Sequence, residues 1–118
     1  MVWAARAALL AALVVTFWFA FEPPHAGPPL LPWDKAEHFL AFFTLTGLAL
    51  VALPRVRTVW LAVGLSLLGA LIEIIQGMPL VHRDCDVWDW VADTVAVFAV
   101  MGVLAASHLR SWGARFQQ

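Results

Sequence analysis

Four long apolar stretches, separated by short polar or proline-rich segments, make up most of the sequence. They cover about residues 3–21, 34–53, 58–77 and 87–107. Each approaches the roughly 20 apolar residues that a helix needs to cross a bilayer. Prolines follow the first three stretches, at Pro23, Pro54 and Pro79. A lipid core offers no water to satisfy backbone groups, so this pattern predicts helices rather than short open strands.

The segments between the stretches determine how the helices run. Residues 54–57 leave room only for a tight hairpin, so the second and third helices are predicted to be antiparallel. Residues 22–32 form a proline-rich linker, and residues 78–86 join the last two helices. The sequence therefore predicts an all-α, polytopic membrane protein, with residues 1–118 as one domain and four antiparallel transmembrane helices.

The composition agrees with a membrane protein. Hydrophobic residues make up 63% of the chain and charged residues 13%, whereas soluble domains average about 45–50% and about 25%. The single cysteine, Cys85, excludes an intramolecular disulfide. No basic patch indicates nucleic acid, so the lipid bilayer is the first expected partner.

Charged side chains are divided between the two ends of the predicted bundle. Arginines without any acid among them occupy one end: Arg6, Arg55, Arg57, Arg110 and Arg115. The positive-inside rule makes this end cytoplasmic, with both termini inside. Tryptophans fall near both ends, where aromatic belts form, and Trp88 and Trp90 belong to the other, acidic end.

The first stretch also has an alternative interpretation as a secretory signal peptide. Arg6 precedes an apolar run, as in the leaders of exported proteins. The run is long, however, and no clear small-x-small cleavage site precedes the prolines. A membrane-spanning helix is therefore the preferred interpretation, and mass spectrometry of the mature N-terminus distinguishes the two.

The acidic end is predicted to hold a polar pocket formed by three helices and one loop. Its candidate residues are Asp34, Lys35, His38, Glu73, Gln76, Arg83, Asp86, Asp89 and Asp93. At about 1.5 Å per residue, His38, Glu73 and Asp93 lie on the order of 6–8 Å inside their helix ends. Charged groups at that depth are costly in lipid, so they are expected to face the bundle interior and pair with one another.

Several of these residues also have purely structural interpretations. Asp34 and Asp86 fit helix N-caps, which favour acids. A structural salt bridge to Lys35 or Arg83 accounts for a buried acid without any function. Imidazole and carboxylate groups are also metal ligands, but the spacing identifies no specific site, so no metal or cofactor is assigned.

The polar positions resemble a known family. The string Asp34-Lys35-x-x-His38-Phe39 resembles the first signature of the VanZ-like family of bacterial membrane proteins. The residues Glu73-x-x-Gln76, followed by Arg83, Asp86, Asp89 and a polar residue at position 93, resemble the second signature of the same family. The resemblance covers about residues 33–102, and its specificity comes from order and spacing together.

Two positions depart from the family pattern. At position 93 this chain has Asp where the family prefers Asn. Farther along the same helix, Ala96 and neighbouring aliphatic residues occupy positions where the family has glycines. The first departure adds a charge to the pocket, and the second predicts a looser approach of the fourth helix. The resemblance implies a multi-pass protein of the bacterial plasma membrane. The name-giving member is associated with reduced susceptibility to the glycopeptide teicoplanin, so a link to glycopeptide susceptibility is an expectation from the resemblance alone.

Four functions fit this pattern. The preferred hypothesis is an outward-facing pocket that binds an envelope lipid or a cell-wall precursor. The second is an enzyme acting on such a lipid, with His38, Glu73 and Asp93 as acid/base candidates; no serine or cysteine lies beside an obvious base, which disfavours a covalent acyl intermediate. A proton- or cation-coupled transporter and a structural subunit remain as alternatives. The ligand and the oligomeric state stay open.

Overall fold

Four α-helices account for almost all of the chain that the computed structural model describes, namely residues 2–21, 34–79 and 86–115. They are α1 (Val2–Phe21), α2 (Asp34–Ala52), α3 (Thr58–Gln76) and α4 (Val87–Arg115). No strand occurs within these ranges, and each helix is long and apolar enough to cross a membrane. The predicted all-α fold of four helices is confirmed.

The helix ends follow the sequence signals closely, except at the end of α4. The first three helices begin and end within a residue of the predicted bounds. The fourth was expected to end near residue 107 but continues to Arg115, because no proline interrupts it. Its segment suited to spanning a membrane is Val87–His108, so the extra turns extend beyond that segment.

Local hydrogen bonds define the ends of α2, α3 and α4. After α2, the amide of Val56 donates to the Leu53 carbonyl at 3.1 Å and closes the hairpin that contains Pro54. After α3, the Gly77 amide donates to the Glu73 carbonyl at 3.0 Å. Before α4, the Asp86 Oδ1 atom accepts the Trp88 amide at 3.0 Å. Asp86 therefore caps α4, as one of its two predicted interpretations required.

The helices pack as an antiparallel bundle in which α2 is central. It contacts α1, α3 and α4, and α3 also packs along α4, whereas the described Cα atoms of α1 and α4 do not approach within 8 Å of each other. At one end, Arg6 Nε on α1 donates to the Ala52 carbonyl at the end of α2, at 3.0 Å. At the other end, Gln76 Nε2 on α3 donates to the Ala20 carbonyl on α1, at 2.8 Å. These contacts place the start of α1 beside the end of α2, and the end of α1 beside the end of α3.

The buried core lies between α2, α3 and α4. Its members are Phe42, Leu45, Ala49, Leu61, Leu65, Ile72, Ala96 and Val97. α1 covers this core mainly with partly buried side chains such as Leu13 and Phe17. Large apolar side chains on all four helices are exposed, among them Leu10, Phe43 and Phe98. In water such a surface would aggregate, so a lipid bilayer is the environment that this surface fits.

Candidate functional site

The start of α2, the end of α3 and the start of α4 meet at one end of the bundle and bring ionisable side chains together. His38 comes from the second turn of α2, Glu73 from the last turn of α3, and Asp89 and Asp93 from the first two turns of α4. We call these four residues the acid–histidine cluster. Glu73, Asp89 and Asp93 are all buried, although they lie in helices whose other residues are mostly apolar.

His38 lies between two aspartates of α4. Its Nδ1 atom is 3.2 Å from Asp93 Oδ1, and its Nε2 atom is 3.5 Å from Asp89 Oδ2. A neutral imidazole donates through one nitrogen only, whereas an imidazolium donates through both. The two aspartates flank the ring and fix its orientation in either form.

Glu73 and Asp93 are each held by one carboxylate oxygen. Glu73 Oε2 accepts the backbone N–H of Asp86 at 3.1 Å, and Asp93 Oδ1 faces His38. The second oxygens, Glu73 Oε1 and Asp93 Oδ2, are buried and have no hydrogen-bond donor among the described residues. Glu73 is 4% exposed and Asp93 is 0% exposed, so water at the surface does not reach these oxygens directly.

Gly69 on α3 allows Asp93 to reach its position. A Cβ atom at residue 69 would lie 3.0 Å from Asp93 Oδ2 and 3.2 Å from Asp93 Cβ. The glycines missing from the fourth helix were expected to loosen its approach. The structure corrects this, because Gly69 supplies the space on α3 instead. Sequence reasoning did not identify Gly69; the only available signal was a glycine one helical turn before Glu73.

Lys35 lies at the outer edge of the acid–histidine cluster. Its Nζ atom is 3.0 Å from Asp86 Oδ2 and 3.4 Å from Asp89 Oδ1. The hydrogen bond from Lys35, followed by that from the Trp88 amide, holds the pKa of the Asp86 carboxyl below its ordinary value. Lys35 therefore neutralises the outer edge of the cluster, and neither of these two contacts reaches Glu73 or Asp93.

The other predicted pocket residues have different positions. Gln76 bonds to the last turn of α1 and so ties α1 to α3. Arg83 and the side chain of Asp34 lie outside what the structure describes. Trp90, expected in the interfacial belt, also contacts α3, where its Nε1–H donates to the Ser66 carbonyl at 3.0 Å. Sequence reasoning missed this contact because belt position alone does not show which way an indole points.

The cluster also has the composition of a metal site. His38, Glu73 and Asp93 each offer one ligand atom, and these atoms all lie within 4.8 Å of one another. Chemically, the arrangement can exchange a proton between carboxylate and imidazole, accept hydrogen bonds from a polar ligand, or hold a cation.

Comparisons with protein-family models, with curated proteins and with solved structures find no match for this chain. The resemblance to the VanZ-like family therefore stays a prediction, and the function has to be argued from the geometry of the site.

Proposed function

We propose that the protein is a VanZ-like integral membrane protein of the bacterial cell envelope whose acid–histidine cluster binds the polar headgroup of an envelope lipid or a lipid-linked cell-wall precursor. One observation supports this most directly: buried carboxylates with unpartnered oxygens lie at one end of a helical bundle. Ionisable residues within membrane segments are costly and are retained mainly for function.

The chemistry of the cluster selects among headgroups. Among the described residues, four carboxylates lie at this end of the bundle (Glu73, Asp86, Asp89 and Asp93), and Lys35 pairs with two of them, Asp86 and Asp89. Hydroxyl and ammonium groups are donors that carboxylates accept well, whereas a bare phosphate would be repelled. The proposed ligand is therefore a sugar-bearing or amine-bearing headgroup.

The orientation belongs to the same proposal. The arginine-rich end is cytoplasmic under the positive-inside rule, so the cluster faces outward. An envelope lipid or precursor presents its headgroup at that surface. A link to glycopeptide susceptibility follows only if the bound species belongs to the cell wall.

Acid/base catalysis on such a lipid is the second candidate function. It is favoured by the contact of His38 Nδ1 with Asp93 Oδ1, at 3.2 Å, because a carboxylate that orients an imidazole is a common arrangement for proton transfer. Glu73 Oε1 would then be the second acid/base group. Turnover of a retained lipid that disappears in Glu73→Gln would separate catalysis from binding.

A transporter is less well supported. A transporter needs a polar path through the bundle. Among the described residues, Thr46 is the buried polar residue that lies away from the cluster, and its hydroxyl donates to the Phe42 carbonyl of its own helix at 2.6 Å. A second polar contact, Ser66 with Thr94 at 3.0 Å, joins α3 to α4. Neither contact contains an ionisable group that could relay protons. Ion or proton flux through the protein in liposomes would support the transporter hypothesis.

Native mass spectrometry in nanodiscs of bacterial lipids tests headgroup binding. Wild-type protein is expected to retain a lipid or a headgroup adduct that Glu73→Gln loses. Glu37→Gln is the matched control, because it makes the same change in the first turn of α2 at a residue outside the acid–histidine cluster. Retention of no species, or equal retention by Glu73→Gln, would contradict the proposal.

A further inference from the structure

Two buried carboxylate oxygens in the cluster require an explanation. Glu73 Oε1 and Asp93 Oδ2 find no donor among the described residues, although their partner oxygens are bonded. Buried polar groups are nearly always satisfied, and a buried carboxylate left unpaired is expensive. A proton on either acid would remove its charge, but the hydroxyl formed would then need an acceptor.

The spacing of the three side chains is within about 1 Å of what a metal ion requires. The ligand atoms of His38, Glu73 and Asp93 lie within 4.8 Å of one another. Two ligands bound to one Zn²⁺ at about 2.0–2.2 Å lie about 3.3–3.6 Å apart in a tetrahedron. Rotations that move these atoms inward by about 1 Å would therefore close the site.

We propose that His38, Glu73 and Asp93 bind a divalent transition-metal cation, with Zn²⁺ as the best-matched ion. Imidazole favours Zn²⁺ and its neighbours over Mg²⁺ and Ca²⁺, which prefer all-oxygen sites. Two carboxylates balance the double charge of the ion. The inference goes beyond headgroup binding and does not depend on it.

The surrounding contacts are those that a metal site needs. With His38 Nδ1 on the metal side, Nε2–H points to Asp89 Oδ2 at 3.5 Å, which is the carboxylate–histidine–metal arrangement. Glu73 Oε2 is held by the Asp86 amide, so Oε1 stays directed at the ion. Lys35 pairs with Asp86 and Asp89 and leaves the ligand carboxylates available.

Three protein ligands leave one position of a tetrahedral ion open. Structural zinc sites use four protein ligands, whereas sites with three keep a position for water or substrate. An oxygen of a water molecule or of a polar headgroup would complete this site. The site is therefore of the open type, which either binds a ligand oxygen or activates a water.

Zinc binding is measured on full-length protein in detergent, without lipid and without a polyhistidine tag. The protein is stripped with EDTA, loaded with ZnSO₄ and desalted against a weak chelator, and the zinc-to-protein ratio is determined. Wild type and Glu37→Gln are expected to retain about one ion. Asp93→Asn and His38→Gln are expected to bind at least about 100-fold more weakly, since even outer partners of a metal ligand contribute 10–100-fold to affinity.

Zinc X-ray absorption on the loaded wild type keeps the inference testable if a variant fails to fold. A shell of nitrogen and oxygen with one imidazole supports it. A sulfur ligand to the zinc would implicate Cys85 and overturn the inference. Wild-type protein that retains no zinc would also overturn it. The same holds for an Asp93→Asn variant that is folded by circular dichroism and retains as much zinc as wild type. Because no lipid is present, loss of zinc binding here is distinguishable from failure of headgroup binding in nanodiscs.

Discussion

At the scale of single residues, the cost of burying Asp93 is met by two neighbours. His38 supplies a charge-assisted hydrogen bond to Oδ1, and Gly69 supplies room for Oδ2 and Cβ. Asp93 is fully buried, so neither neighbour is replaceable without strain or an unpaired charge. The cluster therefore depends on a glycine that carries no functional group.

Gly69→Ala is expected to destabilise the bundle. The new Cβ would lie 3.0 Å from Asp93 Oδ2 and 3.2 Å from its Cβ, and overpacking of this kind costs about 1–3 kcal/mol. The free energy of unfolding in mixed micelles, titrated with SDS, measures the effect. Gly64→Ala is the control on the same helix, because nothing lies within 4 Å of its added Cβ. Equal stability of the two variants would show that α4 does not approach α3 as described.

At the scale of helices, polar contacts hold α3 and α4 together. The Ser66 hydroxyl lies 3.0 Å from that of Thr94, and the Ser66 carbonyl accepts the Trp90 indole N–H at 3.0 Å. Lipid gives helices no hydrophobic reason to associate, so packing and such hydrogen bonds determine the contact. These two contacts between α3 and α4, here called the seam, fix the relative position of the helices that brings Asp93 to the level of Glu73.

Trp90→Phe should weaken that seam. It removes the indole donor but keeps an aromatic ring, and an interhelical hydrogen bond in a membrane protein contributes about 0.6–2 kcal/mol. The same SDS titration is compared with Trp88→Phe, whose side chain is 67% exposed and should change little. If Trp90→Phe and Trp88→Phe change the free energy of unfolding equally, the Trp90 indole does not bridge the helices.

The sequence predicts the four helices and their antiparallel directions but not which faces of the helices pack together. Apolar runs bounded by Pro54 and Pro79 fix the helix ends, and the depth of His38, Glu73 and Asp93 predicts their common level. Their neighbours are not predictable in this way, because all faces of the helices are apolar and no periodicity marks the buried side. Gln76 shows the difficulty, since the same helix face that carries Glu73 directs Gln76 to α1.

At the scale of the whole molecule, charge is distributed along the bundle axis. Arg6 bonds to the end of α2, beside the hairpin with Arg55 and Arg57, whereas the acid–histidine cluster lies at the opposite end. This asymmetry underlies the proposed orientation, with both termini in the cytoplasm and the cluster outside.

C-terminal reporter fusions in a bacterial host test that orientation. A green fluorescent protein fusion should fluoresce, and an alkaline phosphatase fusion should be inactive, because phosphatase folds only after export. Fusions truncated after Met78 give the matched comparison and should show the reverse pattern. An active phosphatase at the C-terminus would place the cluster on the cytoplasmic side and remove the outward-facing pocket.

The central claim is that His38 of α2 and Asp93 of α4 act as one interacting pair, and a double-mutant cycle tests it most directly. His38→Leu and Asp93→Leu should each destabilise the protein, because each leaves a polar partner buried. The double variant should lose less stability than the two losses combined, by about 0.5–3 kcal/mol in the SDS titration. Asp93→Leu combined with Ser107→Ala, at the far end of α4, is the control and should be additive within about 0.5 kcal/mol. Additivity of the His38 and Asp93 substitutions would contradict the account, because it would show that the two side chains do not meet.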